Sequence, residues 1–281
     1  MLSLDNVRKS FGQTTAVDGI SFRLEQREIF GLLGPNGSGK TTTIRMAAGL
    51  LAPDAGSIEM EGLGQPINPT VRSRIGLAPQ TLALYDTLTA TENLTFFGTL
   101  YGSDRRAARA RASALLDMVG LSDRADDRVE AYSGGMKRRL NLAAALMHEP
   151  PLVMLDEPTV GVDPQSRNAI FDIIRSLRER GTTIIYTTHY MEEAQRLCDR
   201  VGIIDSGRVL AIDTVDGLIH AHGGDSIVRI ERNGAWESTP TPEPMVVLSH
   251  ALAAEGTTSV HVERPDLEHV FLSLTGRSLR D

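Results

Sequence analysis

The chain has 281 residues, 41% hydrophobic and 23% charged, with a formal net charge of −7 and one cysteine, Cys198. The acidic balance argues against a nucleic-acid partner, which needs a basic face, and a lone cysteine excludes an intrachain disulfide and favours a cytosolic setting. No run approaches the ~20 apolar residues of a membrane span, and Met1-Leu2-Ser3-Leu4-Asp5 lacks the basic-then-apolar order of a signal peptide.

Leu2 to Val7 reads as a first strand, Phe11-Gly12 as a turn, and Ile20 to Leu24 as a strand with one buried face. Glu28 to Leu33 is a buried strand that runs straight into Gly34-Pro35-Asn36-Gly37-Ser38-Gly39-Lys40-Thr41-Thr42. That stretch fits G-x-x-x-x-G-K-[ST], the phosphate loop of nucleotide-hydrolysing enzymes. Its glycines permit backbone angles closed to other residues, so the loop can turn its N–H groups inward as a nest for phosphate oxygens. Lys40 supplies a positive charge, the Thr41 hydroxyl suits Mg²⁺, and a helix over Lys40 to Leu50 aims its positive end at the phosphates.

Pro53 to Gly56 is a turn, Ser57 to Met60 a short strand, and Ile75 to Gln80 a strand ending at a proline. Thr89-Ala90-Thr91-Glu92 has the form of a capping box. Helices follow over Asp104 to Val119, with Gly120 beyond the end, and over Met136 to Met147. The basic run Lys137-Arg138-Arg139 reads equally as a solvated face. Tyr132-Ser133-Gly134-Gly135-Met136 offers a hydroxyl, two glycine N–H groups and a helix N-terminus, a second anion site. One molecule does not easily fold both sites onto one nucleotide; two molecules head to tail do.

Leu152 to Leu155 is an apolar strand with Asp156-Glu157 at its C-terminal end, where open α/β sheets bind ligands. Asp156 suits Mg²⁺ and Glu157 suits the orientation or deprotonation of water. Asp163-Pro164 opens a helix to Arg180, Thr182 to Thr188 is a β-branched strand, and Met191 to Cys198 is helical. Val201 to Ile204 and Arg208 to Ile212 flank a three-residue hairpin loop, Asp205-Ser206-Gly207. Alternating strands and helices imply an α/β fold with a mainly parallel sheet. Residues 1–219 form the main domain with a helical insertion at about 81–148, and 220–281 form a small C-terminal α+β domain. In that domain Ser226 to Glu231 and Thr258 to Glu263 read as strands, Asn233 to Pro244 as a loop, and Leu267 to Leu274 as a closing helix.

These motifs, in this order, resemble the ATPase subunit of an ATP-binding-cassette (ABC) transporter. Gly34 to Thr41 matches Walker A, Gln80 the Q-loop glutamine, Ser133 to Lys137 the signature motif, and Leu152 to Glu157 Walker B with its catalytic glutamate. Val160 to Asp163 resembles the D-loop and His189 the switch histidine. The tail Arg264 to Gly276 resembles that of drug-resistance and nodulation-factor exporter ATPases. The resemblance implies a P-loop NTPase fold of ABC type, ATP and Mg²⁺, and hydrolysis that powers a separate permease. It also implies a head-to-tail dimer and a place on the inner face of the membrane.

It further implies adenine stacking on Phe11 with Val17 beside it, catalytic roles for Lys40, Gln80, Glu157 and His189, and metal contacts from Thr41, Gln80 and Asp156. Nucleotide contacts would come from Gly34 to Thr42, with Ser133, Gly134, Gly135 and Asp163 serving the neighbour's ATP. Three positions depart from the family's habit: Phe11 for Tyr, Arg27 for Gly and Met136 for Gln. The rival readings are a soluble cassette ATPase of DNA repair or translation, and an ATP-controlled clamp that does not hydrolyse.

Overall fold

The computed structural model describes residues 1–276. In chain order the elements are β1 (Leu2–Phe11), β2 (Thr14–Leu24), β3 (Ile29–Leu33), α1 (Lys40–Ala47), β4 (Ala55–Met60), α2 (Pro69–Arg72), β5 (Ile75–Ala78), α3 (Ala90–Leu100), α4 (Arg105–Met118), α5 (Gly134–Ala145), β6 (Leu152–Asp156), α6 (Pro164–Glu179), β7 (Thr183–Thr188), α7 (Met191–Leu197), β8 (Arg200–Asp205), β9 (Arg208–Thr214), α8 (Val215–His222), β10 (Ser226–Arg232), β11 (Ala235–Thr241), α9 (Pro244–Ala253), β12 (Thr257–Glu263) and α10 (Leu267–Thr275). They divide into two compact units, Met1–Leu210 and the chain from Ala211 on. That boundary precedes the one read at residue 219, because α8 packs on α10 of the second unit.

The first unit holds an antiparallel sheet β2-β1-β4 and the strands β5-β6-β7-β3-β8 of a sheet in the order β5-β6-β7-β3-β8-β9, whose last strand begins in this unit and runs past Leu210. From β5 to β8 every neighbouring pair is parallel. β3, β6 and β7 are buried at every position, as parallel strands covered on both faces must be. Register places the site. Ala78 pairs with Leu155, Asp156 with Thr187, and Leu33 with Thr188. Four adjacent strands therefore end at one level, and the chain just beyond them carries Gln80, Glu157, His189 and the phosphate loop.

β5 and β6 are neighbours in the sheet, yet α3, α4 and α5 lie between them in sequence. Those helices share one continuous apolar core with the sheet, from Ala90 and Leu94 through Leu115 and Leu140 to Leu155 and Ile184. Local chemistry sets their ends. Thr89 and Glu92 complete the capping box of α3, and Asp104 caps α4 by accepting from the N–H groups of Arg106 and Ala107. α6 begins at Asp163-Pro164 and buries Ile170, Ile173, Ile174 and Leu177, an i, i+3, i+4, i+7 stripe.

The β8–β9 connection is shorter than the sequence implied. Asp205 stays in its strand and only Ser206 and Gly207 turn, with φ of 48° and 76°. Two successive left-handed residues make the tight turn whose twist suits a hairpin.

The second unit corrects another expectation. Residues 233–244 are not a loop: Asn233 and Gly234 turn with φ of 50° and 80°, and β11 pairs with β10 from Ala235 to Thr241. β11 is exposed except at Thr241, so it shows no apolar alternation. It is the edge strand of the sheet β11-β10-β12, and an edge tolerates Pro240. α9 packs on β10 and β12 around Val228, Ile230 and Ala251. On α10, Leu267, Val270 and Phe271 are buried, and Leu274, one turn on at i+7 from Leu267, is partly buried.

Candidate nucleotide site

A cleft of about 680 Å³ opens at the C-terminal ends of these strands, lined by residues of the phosphate loop together with Phe11, Gln80, Glu157 and His189. Asn36, Gly37, Gly39, Lys40, Thr41 and Thr42 all face it. Gly39, at φ 104°, shows why the loop needs glycine: a Cβ there would stand 2.5 Å from the Ala16 carbonyl oxygen. A Cβ on Gly34 would meet the Ile204 carbonyl oxygen at 2.1 Å. The Pro35 carbonyl closes the loop by accepting from the Ser38 N–H at 3.2 Å. Ser38 is buried and its Oγ has no hydrogen-bond partner. An orphaned hydroxyl inside a nest of N–H groups fits a phosphate oxygen, since buried polar groups are ordinarily paired.

Lys40 is 4% exposed and fully engaged. Its Nζ donates to the carbonyls of Gly34 (2.8 Å) and Pro35 (2.9 Å) and lies 3.1 Å from Glu157 Oε1. Glu157 is the hub. Its Oε2 accepts from Gln80 Nε2 at 3.1 Å, and His189 Nδ1 stands 3.3 Å from the same oxygen without hydrogen-bond alignment. Glu157 also has φ 47°, a left-handed backbone unusual for a residue with a Cβ. Such strain persists where surrounding structure enforces it. Here the Glu157 N–H donates to Thr187 Oγ1 (2.9 Å), and that hydroxyl donates onward to Asp156 Oδ1 (2.7 Å).

Asp156 is buried beside Thr41, whose Oγ1 is 3.3 Å from Asp156 Oδ1. Burial raises the Asp156 pKa, against the lowering effect of the two threonine hydroxyls. A buried carboxylate and a hydroxyl are hard oxygen donors that suit Mg²⁺, which takes only one or two protein ligands and completes its shell with water and phosphate.

Phe11 is 53% exposed at the mouth of the cleft, with Lys9 Nζ 5.9 Å from its ring centroid. Val17 is not at the surface: it is fully buried beneath Gly39, and Ala16 lines the cleft in its stead. Ser133, Gly134, Gly135 and Asp163 do not line this cleft among the described residues. Ser133 and Gly134 are exposed, and Ser133 Oγ caps α5 by accepting from the Met136 N–H. Gly135 is required by packing, since a Cβ would stand 2.4 Å from Ser166 Oγ. Asp163 caps α6 through the Ser166 N–H at 2.9 Å, a bond that lowers its pKa.

Some of the surroundings were not legible in the sequence. The basic run at 137–139 is not a solvated face: Lys137 pairs with Asp86, Arg139 donates to the carbonyls of Val119 and Gly120, and Arg138 donates to those of Gln80 and Val160. Arg138 thus ties the Gln80 segment to the loop after Glu157. Val160 and Tyr190 also line the cleft; their position beside Glu157 and His189 was the available signal. Arg27 has φ 62°, which explains why glycine is usual there.

A family model described as ABC transporter matches residues 17–160. The chain is 46% identical to the linearmycin resistance ATP-binding protein LnrL of Bacillus subtilis (strain 168), with all of both chains covered. It is 42% identical to Nod factor export ATP-binding protein I of Paraburkholderia xenovorans (strain LB400), over all of this chain and 98% of the relative. It is 40% identical to daunorubicin resistance ATP-binding protein DrrA3 of Streptomyces coeruleorubidus, over 99% and 97%. A dimeric ATP-binding cassette in a post-hydrolysis state with ADP and Pi matches with a TM-score of 0.70 at 25% identity, over 76% of this chain and 98% of that one. With the phosphate loop, Glu157 and His189 gathered at one cleft and Asp156 buried beside Thr41, the chain belongs to the ABC transporter family, as an ATP-binding subunit that hydrolyses ATP.

Proposed function

We propose that this subunit drives a separate membrane permease that exports a drug-like, lipid or polysaccharide substrate, a reading supported by relatives named for linearmycin resistance, Nod factor export and daunorubicin resistance. Among the described residues no helix is long and apolar enough to cross a membrane, so the path for the substrate is assigned to a partner. The subunit would work at the inner face of the membrane, where ATP is available.

The observation that carries the mechanism is the convergence of Lys40, Gln80 and His189 on the one carboxylate of Glu157. In this reading adenine stacks on Phe11 and the phosphates lie in the nest of Gly34 to Thr42. Lys40 exchanges its loop carbonyls for β- and γ-phosphate oxygens. That exchange frees Glu157 to accept a proton from, or orient, a water in line with the γ-phosphate. Gln80 and His189 would hold that water and a γ-phosphate oxygen while the water oxygen bonds to the γ-phosphorus and the bond to the bridging oxygen of ADP breaks. Asp156 and Thr41 would hold Mg²⁺, which supplies neutralisation of phosphate charge. Ser133, Gly134 and Gly135, exposed on their own subunit, would close over the ATP of a second subunit in a head-to-tail dimer, with Asp163 at the same interface.

Glu157→Gln tests the assignment. It keeps the shape of the side chain and removes the base, so ATP affinity should stay within a few-fold while turnover falls by about 100- to 10,000-fold. ATP should then hold two subunits together in light scattering. Phosphate release at the wild-type rate from the purified variant would remove Glu157 from its role.

A further inference from the structure

Glu193 is a buried carboxylate, 1% exposed, that the chemistry above does not use. It sits in the first turn of α7, four residues past His189. Its Oε2 accepts three hydroxyl hydrogen bonds: from Thr159 (2.9 Å), Tyr186 (2.8 Å) and Thr188 (2.8 Å). Its Oε1 lies 3.4 Å from Arg167 Nε on α6. Burial, with the Glu193 carboxylate beside it, holds the Tyr186 pKa well above its ordinary value, so that hydroxyl remains a donor.

The three donors come from two segments that matter. Thr159 lies two residues beyond Glu157 and directly before Val160, which faces the cleft. Thr188 directly precedes His189, and its Oγ1 also accepts from the Tyr190 N–H at 2.9 Å. Both neighbours of His189 are therefore tied to Glu193, one directly and one through a single hydroxyl. The Arg167 guanidinium lies 5.5 Å from the centre of the Tyr190 ring, on the other side of the same loop.

A fold that needed only stability would not bury an acid here, because an apolar group of similar volume does as well or better. One carboxylate that accepts several hydroxyls fixes where each hydroxyl, and the backbone carrying it, must sit. We propose that Glu193 is a positioning residue for hydrolysis: it clamps the loop after Glu157 to the loop bearing His189 and so sets the 3.3 Å approach of His189 to Glu157. The inference rests on the catalytic reading of that pair. Placement errors of about 1 Å at a reacting centre cost on the order of 100-fold in rate.

The test uses the chain with Glu193→Ala and, as a variant that leaves the buried acid in place, the near-isosteric Thr188→Val, which removes one arm of the clamp and the support of Tyr190. Each is expected to lower kcat about 10- to 100-fold with KM for ATP changed less than about twofold, at a temperature where circular dichroism shows wild-type fold. A second readout does not depend on turnover. The chain has seven histidines, and NMR of the imidazole signals, with His189→Ala identifying one, should show that signal displaced or broadened in both variants and the others in place. Wild-type kcat with an unmoved His189 signal in folded Thr188→Val overturns the proposal. If instead the signal moves while His189→Ala itself turns over normally, the clamp stands and the catalytic reading of His189 falls.

Discussion

Among the described residues, Lys40, Asp156, Glu157 and Glu193 are buried in the first unit, whereas in the second the only buried polar side chain is Thr241. Each unit closes its own core with apolar residues, in the second around Val228, Ile230 and Ala251, with Leu267, Val270 and Phe271 buried on α10. The difference lies in what is added. Burying a charge costs several kcal/mol unless partners compensate. Glu28, also buried, is held by the Glu25 N–H and Arg200 and does not line the cleft, whereas Lys40 and Glu157 line it and Asp156 and Glu193 are bonded to residues beside it. The C-terminal unit buries no charge among its described residues and reads as an element of assembly or regulation. Four substitutions put that contrast at risk, the largest expected effect first.

Lys40→Ala removes the one cation inside the nest and leaves Glu157 buried without its partner. Breaking a buried ion pair by one side costs about 3–5 kcal/mol, and the phosphate cradle loses its charge as well. ATP binding should vanish from calorimetry and the melting temperature should fall. Near-normal ATP affinity would mean that the cleft is not where phosphate binds.

Ser133→Arg tests the proposed composite site. Ser133 is exposed and does not line the cleft of its own subunit. ATP affinity of the isolated chain should stay near normal, less the loss of a helix cap worth about 1 kcal/mol. Hydrolysis should stop, because the bulky side chain blocks the neighbour's nucleotide. Loss of ATP binding by a folded variant would place the signature residues in the site of their own chain.

The motifs were legible because their spacing states their chemistry: a glycine-lysine-threonine loop after an apolar strand, or Asp-Glu at the end of another. What brings Gln80 to Glu157 was not legible, because it depends on β5 and β6 being neighbours across 73 residues of intervening chain between Ala78 and Leu152. The work of Arg138 and Glu193 was hidden for the same reason, since their partners come from other elements. β11 was missed for another reason. An exposed edge strand has no apolar alternation, and the Asn233-Gly234 turn was the one local sign of it.

Phe271→Asp probes the other side of the contrast. Phe271 is 1% exposed, and a carboxylate in its place must be desolvated. The expected loss is about 3–5 kcal/mol, as for removing a buried aromatic, confined to the C-terminal unit. Limited proteolysis should clip the chain beyond Ala211, and co-purification of the permease should weaken. ATP affinity at the phosphate loop should stay within about twofold, since no chemistry-bearing group is touched. A variant that folds, keeps its permease and transports at the wild-type rate would remove the assembly role.

Asp156→Asn should produce the smallest effect on the fold and the opposite sign. Burial raises the Asp156 pKa above its ordinary value, so the folded protein holds that proton more tightly than the unfolded chain does. The sign follows from linkage: above the raised pKa the burial of the charge works against the fold, and that opposition fades as pH falls through the raised pKa. Asparagine retains an oxygen to accept from Thr187 and Thr41 and has no charge to desolvate. Measured without nucleotide or metal at neutral pH, the melting temperature should therefore rise, and the gain should shrink as the pH is lowered into the carboxylate range. If Asp156 holds Mg²⁺ as proposed, the same variant should also lose Mg²⁺-dependent turnover. A melting temperature that falls at neutral pH and recovers in acid would show that Asp156 is held by favourable charge interactions, and that its burial is not a cost accepted for metal binding.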